Sequence, residues 1–225
     1  MLILFTGVPG SGKSLHAARM MYDCIRWKRV PVIANFEINP ETKGYENFHY
    51  VPNDKLNPDD LRAFSRSYWG KKRVQENVIM LCIDEAQLLF NTRDWQKSKD
   101  RMKWIEFLSQ HRHYGYIILM MTQSPRMIDR QIRVLAEYEW QHRKLSSFGF
   151  WGKLFKALSL GEIFVCVKCY YGTNQKLGSE FFRGHKKYYE LYDSYNTLAL
   201  VEHSEEKGTQ RVTLDEEAHA GGGVL

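Results

Sequence analysis

Eight consecutive residues combine glycines, a lysine and a serine in the spacing of a phosphate-binding loop. They are Gly7, Val8, Pro9, Gly10, Ser11, Gly12, Lys13 and Ser14, and they fit the pattern G-x-x-x-x-G-K-[ST]. The glycines let backbone N–H groups face the β-phosphate, and a helix that begins near Lys13 adds its positive dipole end. We expect Lys13 to contact the β- and γ-phosphates and the Ser14 hydroxyl to bind Mg²⁺. The loop therefore predicts a site for ATP with Mg²⁺.

An apolar run over 78–83 ends in two adjacent carboxylates, Asp84 and Glu85. At the carboxyl end of a second buried strand, Asp84 is placed to hold the Mg²⁺ shell. Glu85 is then the candidate that orients and deprotonates the water attacking the γ-phosphate. The structural alternative is an acidic helix N-cap. Because a kinase uses a phosphate or a hydroxyl as its nucleophile, it has less need of the second acid, so the pair favours hydrolysis over transfer.

A third candidate strand, 116–121, is followed by Thr122 and Gln123. Gln123 is the candidate sensor of the γ-phosphate or of the attacking water, and the alternative is an ordinary amide at a strand end. Hydrolysis also benefits from an arginine finger, whose guanidinium stabilises the charge on the equatorial oxygens. Its candidate sources are Arg112, Arg126, Arg130 and Arg133. Each of these is alternatively a structural or solvent-facing arginine.

Alternating apolar strands and amphipathic helices must position these side chains. The sequence predicts strands over 1–6, 30–34, 78–83, 116–122 and 162–171 and helices over 14–28, 59–69 and 99–113. Continuously apolar runs are typical of parallel strands that are buried on both faces. We therefore predict an α/β fold, a P-loop NTPase with a mainly parallel central sheet flanked by helices and a small C-terminal appendage.

Composition divides the chain into three parts. Residues 1–145 are expected to form the P-loop ATPase core, 146–201 an appended aromatic and basic segment with a strand, and 202–225 a polar tail or linker. Within 148–160, apolar side chains recur at helical spacing beside two lysines. This stretch is expected either to pack on the sheet or a neighbouring subunit, or to lie at an anionic membrane surface.

Charge and hydropathy narrow the classes of partner. The chain is 44% hydrophobic, enough for a sizeable core, and residues 1–201 carry 30 basic and 20 acidic side chains, a net +10. A basic domain favours single-stranded DNA, nucleotide phosphates or anionic lipid as a partner. The purely apolar runs, such as 117–121, are far below the ~20 residues of a membrane-spanning helix, so we expect the chain as given to be soluble.

The four cysteines are too few for a disulfide scaffold, and the N-terminus lacks the pattern of a signal peptide. We therefore expect a reducing, cytosolic setting. Cys166 and Cys169 have the spacing of a metal-binding pair, but residues three apart in a strand point to opposite faces. A shared metal at this pair is not expected.

With these residues in place, the sequence resembles the zonular occludens toxin family, which includes the gene I proteins of filamentous bacteriophages and is related to the FtsK/HerA branch of P-loop ATPases. The similarity covers about 1–200. It rests on the phosphate loop and on the stretches 83–87, 112–115, 118–123 and 192–195. The stretch from Arg-His-x-Gly to Thr-Gln is the most specific of these.

The resemblance implies an ATPase at the cytoplasmic face of the host inner membrane that drives assembly and extrusion of filamentous virions. It also implies a homo-oligomeric ring, with phage assembly proteins and coat protein as partners, and it makes Arg112 the preferred finger in trans. Family members usually continue through a transmembrane helix into a periplasmic portion. The chain is therefore expected to be a cytoplasmic fragment or a shortened member, with 202–225 as the remnant of a juxtamembrane linker.

Two other classes of function stay open at this point. A nucleotide or small-molecule kinase would need an arginine-rich lid and an acceptor pocket. A non-hydrolysing, nucleotide-gated binding module or secreted effector would bind ATP without turnover. Release of phosphate from ATP alone distinguishes the motor from both.

Overall fold

The structure is a computed structural model that describes residues 1–91, 99–145 and 162–192. The strands in these ranges are β1 (Leu2–Thr6), β2 (Val32–Ala34), β3 (Phe48–Tyr50), β4 (Ile79–Ile83), β5 (Tyr116–Thr122), β6 (Tyr138–Lys144), β7 (Ile163–Tyr170) and β8 (Lys176–Arg183). They form one sheet in the order β3-β2-β4-β5-β1-β6-β7-β8. The α/β class and the mainly parallel sheet predicted from the sequence are confirmed.

Six neighbouring strands, from β3 to β6, run parallel. Thr6 at the end of β1 lies beside Thr122 of β5 on one side and Gln141 of β6 on the other. Because parallel strands end at the same edge of a sheet, the residues that follow β1, β2, β4 and β5 meet at one edge. We call this the carboxyl edge.

Helices cover both faces of the sheet. They are α1 (Lys13–Asp23), α2 (Pro58–Trp69), α3 (Arg101–Gln110), α4 (Arg130–Arg133) and α5 (Lys186–Leu191). The predicted helix over 14–28 is α1 followed by a π-helical turn, Cys24–Lys28. None of the helices in the three described ranges is long and apolar enough to cross a membrane.

The start of α2 shows how local sequence sets an element boundary. The Asn57 side chain accepts a hydrogen bond from the backbone N–H of Asp60 at 2.9 Å, as an N-cap. Pro58 follows at the first helical position, where the missing N–H costs nothing, and Asp59 adds negative charge beside the helix N-terminus. The helix ends before Gly70, whose φ of 51° favours glycine.

Two apolar cores lie on opposite faces of the sheet. Along β1, Ile3 and Phe5 pack into the core that holds α1, whereas Leu2 and Leu4 pack into the core that holds α2 and α3. Side chains alternate between faces, so a strand covered on both faces must be apolar at every position. This explains the continuous apolar runs in β1, β4 and β5.

An antiparallel extension continues the sheet beyond β6. β7 pairs antiparallel with β6, and β8 pairs antiparallel with β7. The sequence predicted β7 but missed β3, β6 and β8. In β6 the two buried positions are polar, Glu139 and His142, and β8 is mostly exposed, so neither strand shows an apolar run. The segments 148–160 and 202–225 lie outside the described residues.

Two buried imidazoles join α1 to β6. His16 Nδ1 lies 2.9 Å from His142 Nε2, and the rings of Phe5 and Phe182 pack on the pair with centroids 4.7 Å away. Burial lowers the pKa of His16 to about 4 and that of His142 to about 3. Both rings are therefore neutral at pH 7, one donating and the other accepting. The Cys166 sulfur lies within 4.8 Å of this pair, whereas Cys169 is half-exposed.

We expect stability to fall as the pH drops from about 6.5 toward 4. Because both folded-state pKa values lie below the ordinary histidine value, the unfolded chain binds protons in this range that the folded chain does not. The contribution of the histidine pair to the free energy of unfolding is complete above pH 6.5 and is lost as the pH falls below that value. Thermal unfolding at a series of pH values measures this decline.

His142→Gln is the matched variant, since it keeps a neutral hydrogen-bonding side chain and removes the titrating ring. Its melting temperature should fall less steeply between pH 7 and pH 5 than that of the wild type, whatever its value at pH 7. If the melting temperature fell equally with pH in the two proteins, the pH dependence would not come from the histidine pair, because the carboxylates titrate alike in both.

Candidate nucleotide site

The loop at 7–14 connects β1 to α1 at the carboxyl edge and packs closely on the neighbouring strands. A Cβ on Gly7, where φ is 143°, would lie 2.5 Å from the backbone oxygen of His142. A Cβ on Gly12, where φ is 95°, would lie 2.6 Å from the ring of Phe164. Both positions therefore require glycine, for space as well as for φ.

The Lys13 ammonium lies over the loop. Its Nζ donates to the backbone oxygens of Gly7 at 2.8 Å and of Val8 at 3.3 Å. Burial lowers the pKa of Lys13, and the charges of Asp84 and Glu85 oppose that shift. Within the same loop, the Ser11 hydroxyl is buried with no hydrogen-bond partner. A flexible cation and an unpaired buried hydroxyl among glycine N–H groups fit a bound phosphate.

Asp84 follows β4 at the same edge, with both carboxylate oxygens hydrogen-bonded. Oδ1 accepts from the backbone N–H of Glu85 at 2.8 Å, and Oδ2 accepts from the Tyr192 hydroxyl at 2.9 Å. Burial raises the pKa of Asp84, while these two donors and Lys13 lower it. Burial and the neighbouring carboxylate raise the pKa of Tyr192, so its hydroxyl is a donor. The structure thus brings the predicted loop and the predicted magnesium acid together.

Asn35, which the sequence analysis passed over, holds the backbone at Asp84. Its side-chain oxygen accepts from the Asp84 N–H at 2.7 Å, and its amide donates to the Asp84 carbonyl at 2.8 Å. The same amide donates to Asn53 Oδ1 at 2.8 Å. Its position directly after a short apolar strand, β2, could have indicated this role, since polar residues at such positions reach the carboxyl edge.

Glu85 is exposed and has a left-handed backbone, with φ of 46° and ψ of 48°. For a residue other than glycine this conformation costs about 1 kcal/mol. Its carboxylate accepts from the Gln87 amide. The strained turn lies between Asp84 and a 3₁₀ turn, Ala86–Leu88, and residues held in such conformations cluster at active sites.

Gln123 follows β5 and lies beside the loop. It is exposed in a cleft of about 460 Å³ whose other lining residues include Gly7 and Val8. Arg143 and Lys144, at the end of β6, line the same cleft. The structure therefore brings Gln123 to the predicted site. It also adds two basic residues that the sequence analysis missed, because β6 itself was not predicted.

Arg112 lies at the opposite edge of the sheet, where the parallel strands begin, which we call the amino edge. It belongs to a 3₁₀ turn, His111–Tyr114, that precedes β5, and its guanidinium binds the carboxylate of Glu137. At ~3.3 Å per residue, β5 separates Arg112 from Gln123 by roughly 20 Å. Of the other candidate arginines, Arg126 lies in a 3₁₀ turn after β5, and Arg130 and Arg133 lie in α4. Within one chain the structure does not bring Arg112 to the loop.

A buried strand, a glycine loop and a helix, with an acid after another parallel strand of the same sheet, define the fold of P-loop ATPases. An ATPase domain of known structure aligns with a TM-score of 0.53 and 10% identity, over 83% of this chain and 82% of that domain. At this identity the likeness shows the fold. The family model described as zonular occludens toxin (Zot) matches residues 1–198. The chain belongs to this family, which confirms the resemblance seen in the sequence.

Two relatives illustrate the match. The gene 1 protein of Escherichia phage If1 is 27% identical over 213 residues, which cover 85% of this chain and 57% of that protein. The N-terminal domain of zonular occludens toxin from Neisseria meningitidis, a crystal structure, aligns with a TM-score of 0.52 and 22% identity, over 85% of this chain and 98% of that one. The chain thus spans little more than half the length of the phage relative.

Asn35→Ala should lower the free energy of unfolding by about 1–3 kcal/mol, because it leaves the N–H and the carbonyl of Asp84 without partners. Urea unfolding measures the change. Asn53→Ala is the control, since it removes only the third bond of the Asn35 side chain. If both variants lost the same stability, the hydrogen bonds to Asp84 would not be the reason.

Proposed function

We propose that this protein is a Mg²⁺-dependent ATPase that drives the assembly and extrusion of filamentous phage at the host inner membrane. The observation that carries the proposal is the convergence of the loop 7–14, Asp84 and Gln123 at the carboxyl edge of a parallel sheet. Membership of the zonular occludens toxin family and similarity to the gene 1 protein of a phage support the biological setting.

In this proposal the loop binds the phosphates of ATP. Backbone N–H groups of 7–14 face the β-phosphate, and Lys13 exchanges its bonds to two backbone oxygens for bonds to the β- and γ-phosphates. Ser14 and Asp84 are the residues that would hold Mg²⁺. When bound, Mg²⁺ supplies positive charge that neutralises the phosphate oxygens.

Glu85 is proposed as the general base. Its exposed carboxylate follows Asp84 directly, and it would take the proton of a water as the water oxygen bonds to the γ-phosphorus. The bond from the γ-phosphorus to the bridging oxygen breaks, and ADP and phosphate leave. Gln123 would orient the water from the end of β5. This chemistry needs no second substrate, which distinguishes it from a kinase.

The proposed organisation of the chain keeps the three parts predicted from the sequence. Residues 1–145 form the ATPase core, 146–201 the appended segment, and 202–225 a polar tail or juxtamembrane linker. The chain works as a homo-oligomeric ring at the cytoplasmic face of the membrane, and Arg112 reaches the site of a neighbouring subunit. Phage assembly proteins, coat protein, single-stranded DNA and anionic lipid are the proposed partners, the last two favoured by the basic charge of 1–201.

Lys13→Ala and Glu85→Gln should each lower the rate of phosphate release from Mg·ATP by about 100-fold or more, since one removes a phosphate contact and the other the base. Glu85→Gln should still bind ATP, because the loop and Asp84 are intact. Phosphate release and ATP binding, measured on the same preparations, check both statements. Glu41→Gln is the control and should match the wild type, because it changes an exposed acid outside the set of proposed site residues. Near-normal turnover of Lys13→Ala would refute the proposed site.

Arg112→Ala should bind ATP and lose hydrolysis, and turnover should return when it is mixed with Lys13→Ala. In a mixed ring the Lys13→Ala subunit supplies Arg112 to an intact loop on its neighbour. Glu137→Gln is the matched control, because it removes the in-chain partner of Arg112 and leaves the guanidinium. It should retain turnover. Mixed rings without activity would contradict the assignment in trans.

A further inference from the structure

Tyr192 reaches the carboxylate of Asp84 from 108 residues away in the sequence. Its hydroxyl donates to Asp84 Oδ2 at 2.9 Å. Asp84 is the magnesium acid that its sequence motif predicts, whereas no motif gives Tyr192 a role. The contact therefore links the C-terminal end of the described chain to the proposed metal ligand.

Packing holds Tyr192 in place independently of that hydrogen bond. Its ring lies 4.4 Å from the ring of Phe36, and the backbone oxygen of the preceding residue, Leu191, accepts from Asn39 N–H at 3.0 Å. Leu191 is buried in the core that also holds α1. The hydroxyl is thus presented to Asp84 from a fixed position.

The two donors to Asp84 fix the orientation of its carboxylate. The N–H of Glu85 binds Oδ1, and the Tyr192 hydroxyl binds Oδ2. Rotation about the bond between Cβ and the carboxyl group would break both bonds. Each carboxylate oxygen has about two acceptor sites, so one site on each oxygen stays available to a cation or its water shell.

We propose that Tyr192 is a positioning residue that orients Asp84 for Mg²⁺, so that the segment after β8 completes the metal site. The inference rests on the proposed function. Hydrogen-bond partners of metal ligands typically change metal affinity by 10–100-fold when they are removed. Tyr192 contacts the ligand and not the reacting atoms, so its effect should appear in the Mg²⁺ requirement.

Tyr192→Phe keeps the ring against Phe36 and removes the hydroxyl. The Mg²⁺ concentration for half-maximal ATP hydrolysis should rise about tenfold, while ATP binding in EDTA stays at the wild-type value. Mn²⁺ titrated into protein with a non-hydrolysable ATP analogue, with free Mn²⁺ followed by EPR, should show weaker binding by the same factor. Tyr188→Phe is the matched control, because Tyr188 is buried on α5, four residues before Tyr192, and its ring contacts Tyr22 rather than Asp84.

An unchanged Mg²⁺ requirement and an unchanged Mn²⁺ affinity in Tyr192→Phe would overturn the proposal. So would tighter metal binding, since the hydroxyl would then compete with the metal. A wild-type protein without ATPase activity would refute the proposed function instead, and the Mn²⁺ titration would still decide the role of Tyr192. Thermal unfolding of both tyrosine variants shows whether a weakened metal site is separate from a weakened fold.

Discussion

The close approach of the glycine loop to the strands beside it is the constraint on which the site depends. Gly7 lies against the backbone of β6, and Gly12 lies against Phe164 of β7, each with no room for a side chain. The loop is therefore held by the sheet as well as by its own turn. β6 and β7 are the strands at which the parallel sheet gives way to the antiparallel extension, so that extension helps to shape the loop.

Burial at the carboxyl edge sets the electrostatics of the site. Asp84 and Lys13 are both removed from water, which raises the pKa of one and lowers that of the other, and each stabilises the charge of its partner. Backbone N–H groups and neutral side chains, Asn35 and Tyr192, supply the remaining hydrogen bonds. A buried charge is costly unless it is compensated, and here the opposite charge and the hydrogen bonds supply that compensation.

The features of this protein that could be predicted from the sequence are those carried by a few consecutive residues. The apolar runs of β1, β4 and β5, the glycine loop and the pair Asp84-Glu85 each occupy a few consecutive residues, so the sequence alone indicated the fold class and the elements of the site. The roles of Asn35 and Tyr192 were not predicted, because their bonds to Asp84 span 49 and 108 residues. β6 was not predicted for a different reason. Its buried Glu139 accepts a hydrogen bond from the Thr6 hydroxyl at 2.7 Å, and the periodicity of apolar residues cannot reveal a buried polar position of this kind.

The two edges of the sheet constrain any assembly in which Arg112 acts on a nucleotide. Parallel strands place Arg112 at one edge and the loop at the other, so the guanidinium reaches a phosphate only if a second copy presents its amino edge to the carboxyl edge of the first. Such a contact joins two different surfaces, and repeating it gives a ring if the rotation closes. The Arg112 side chain is about half exposed even while it binds Glu137, so a neighbour has access to it. An isologous dimer supplies the guanidinium only if its shared patch spans both edges, so that each Arg112 faces the loop of the other copy.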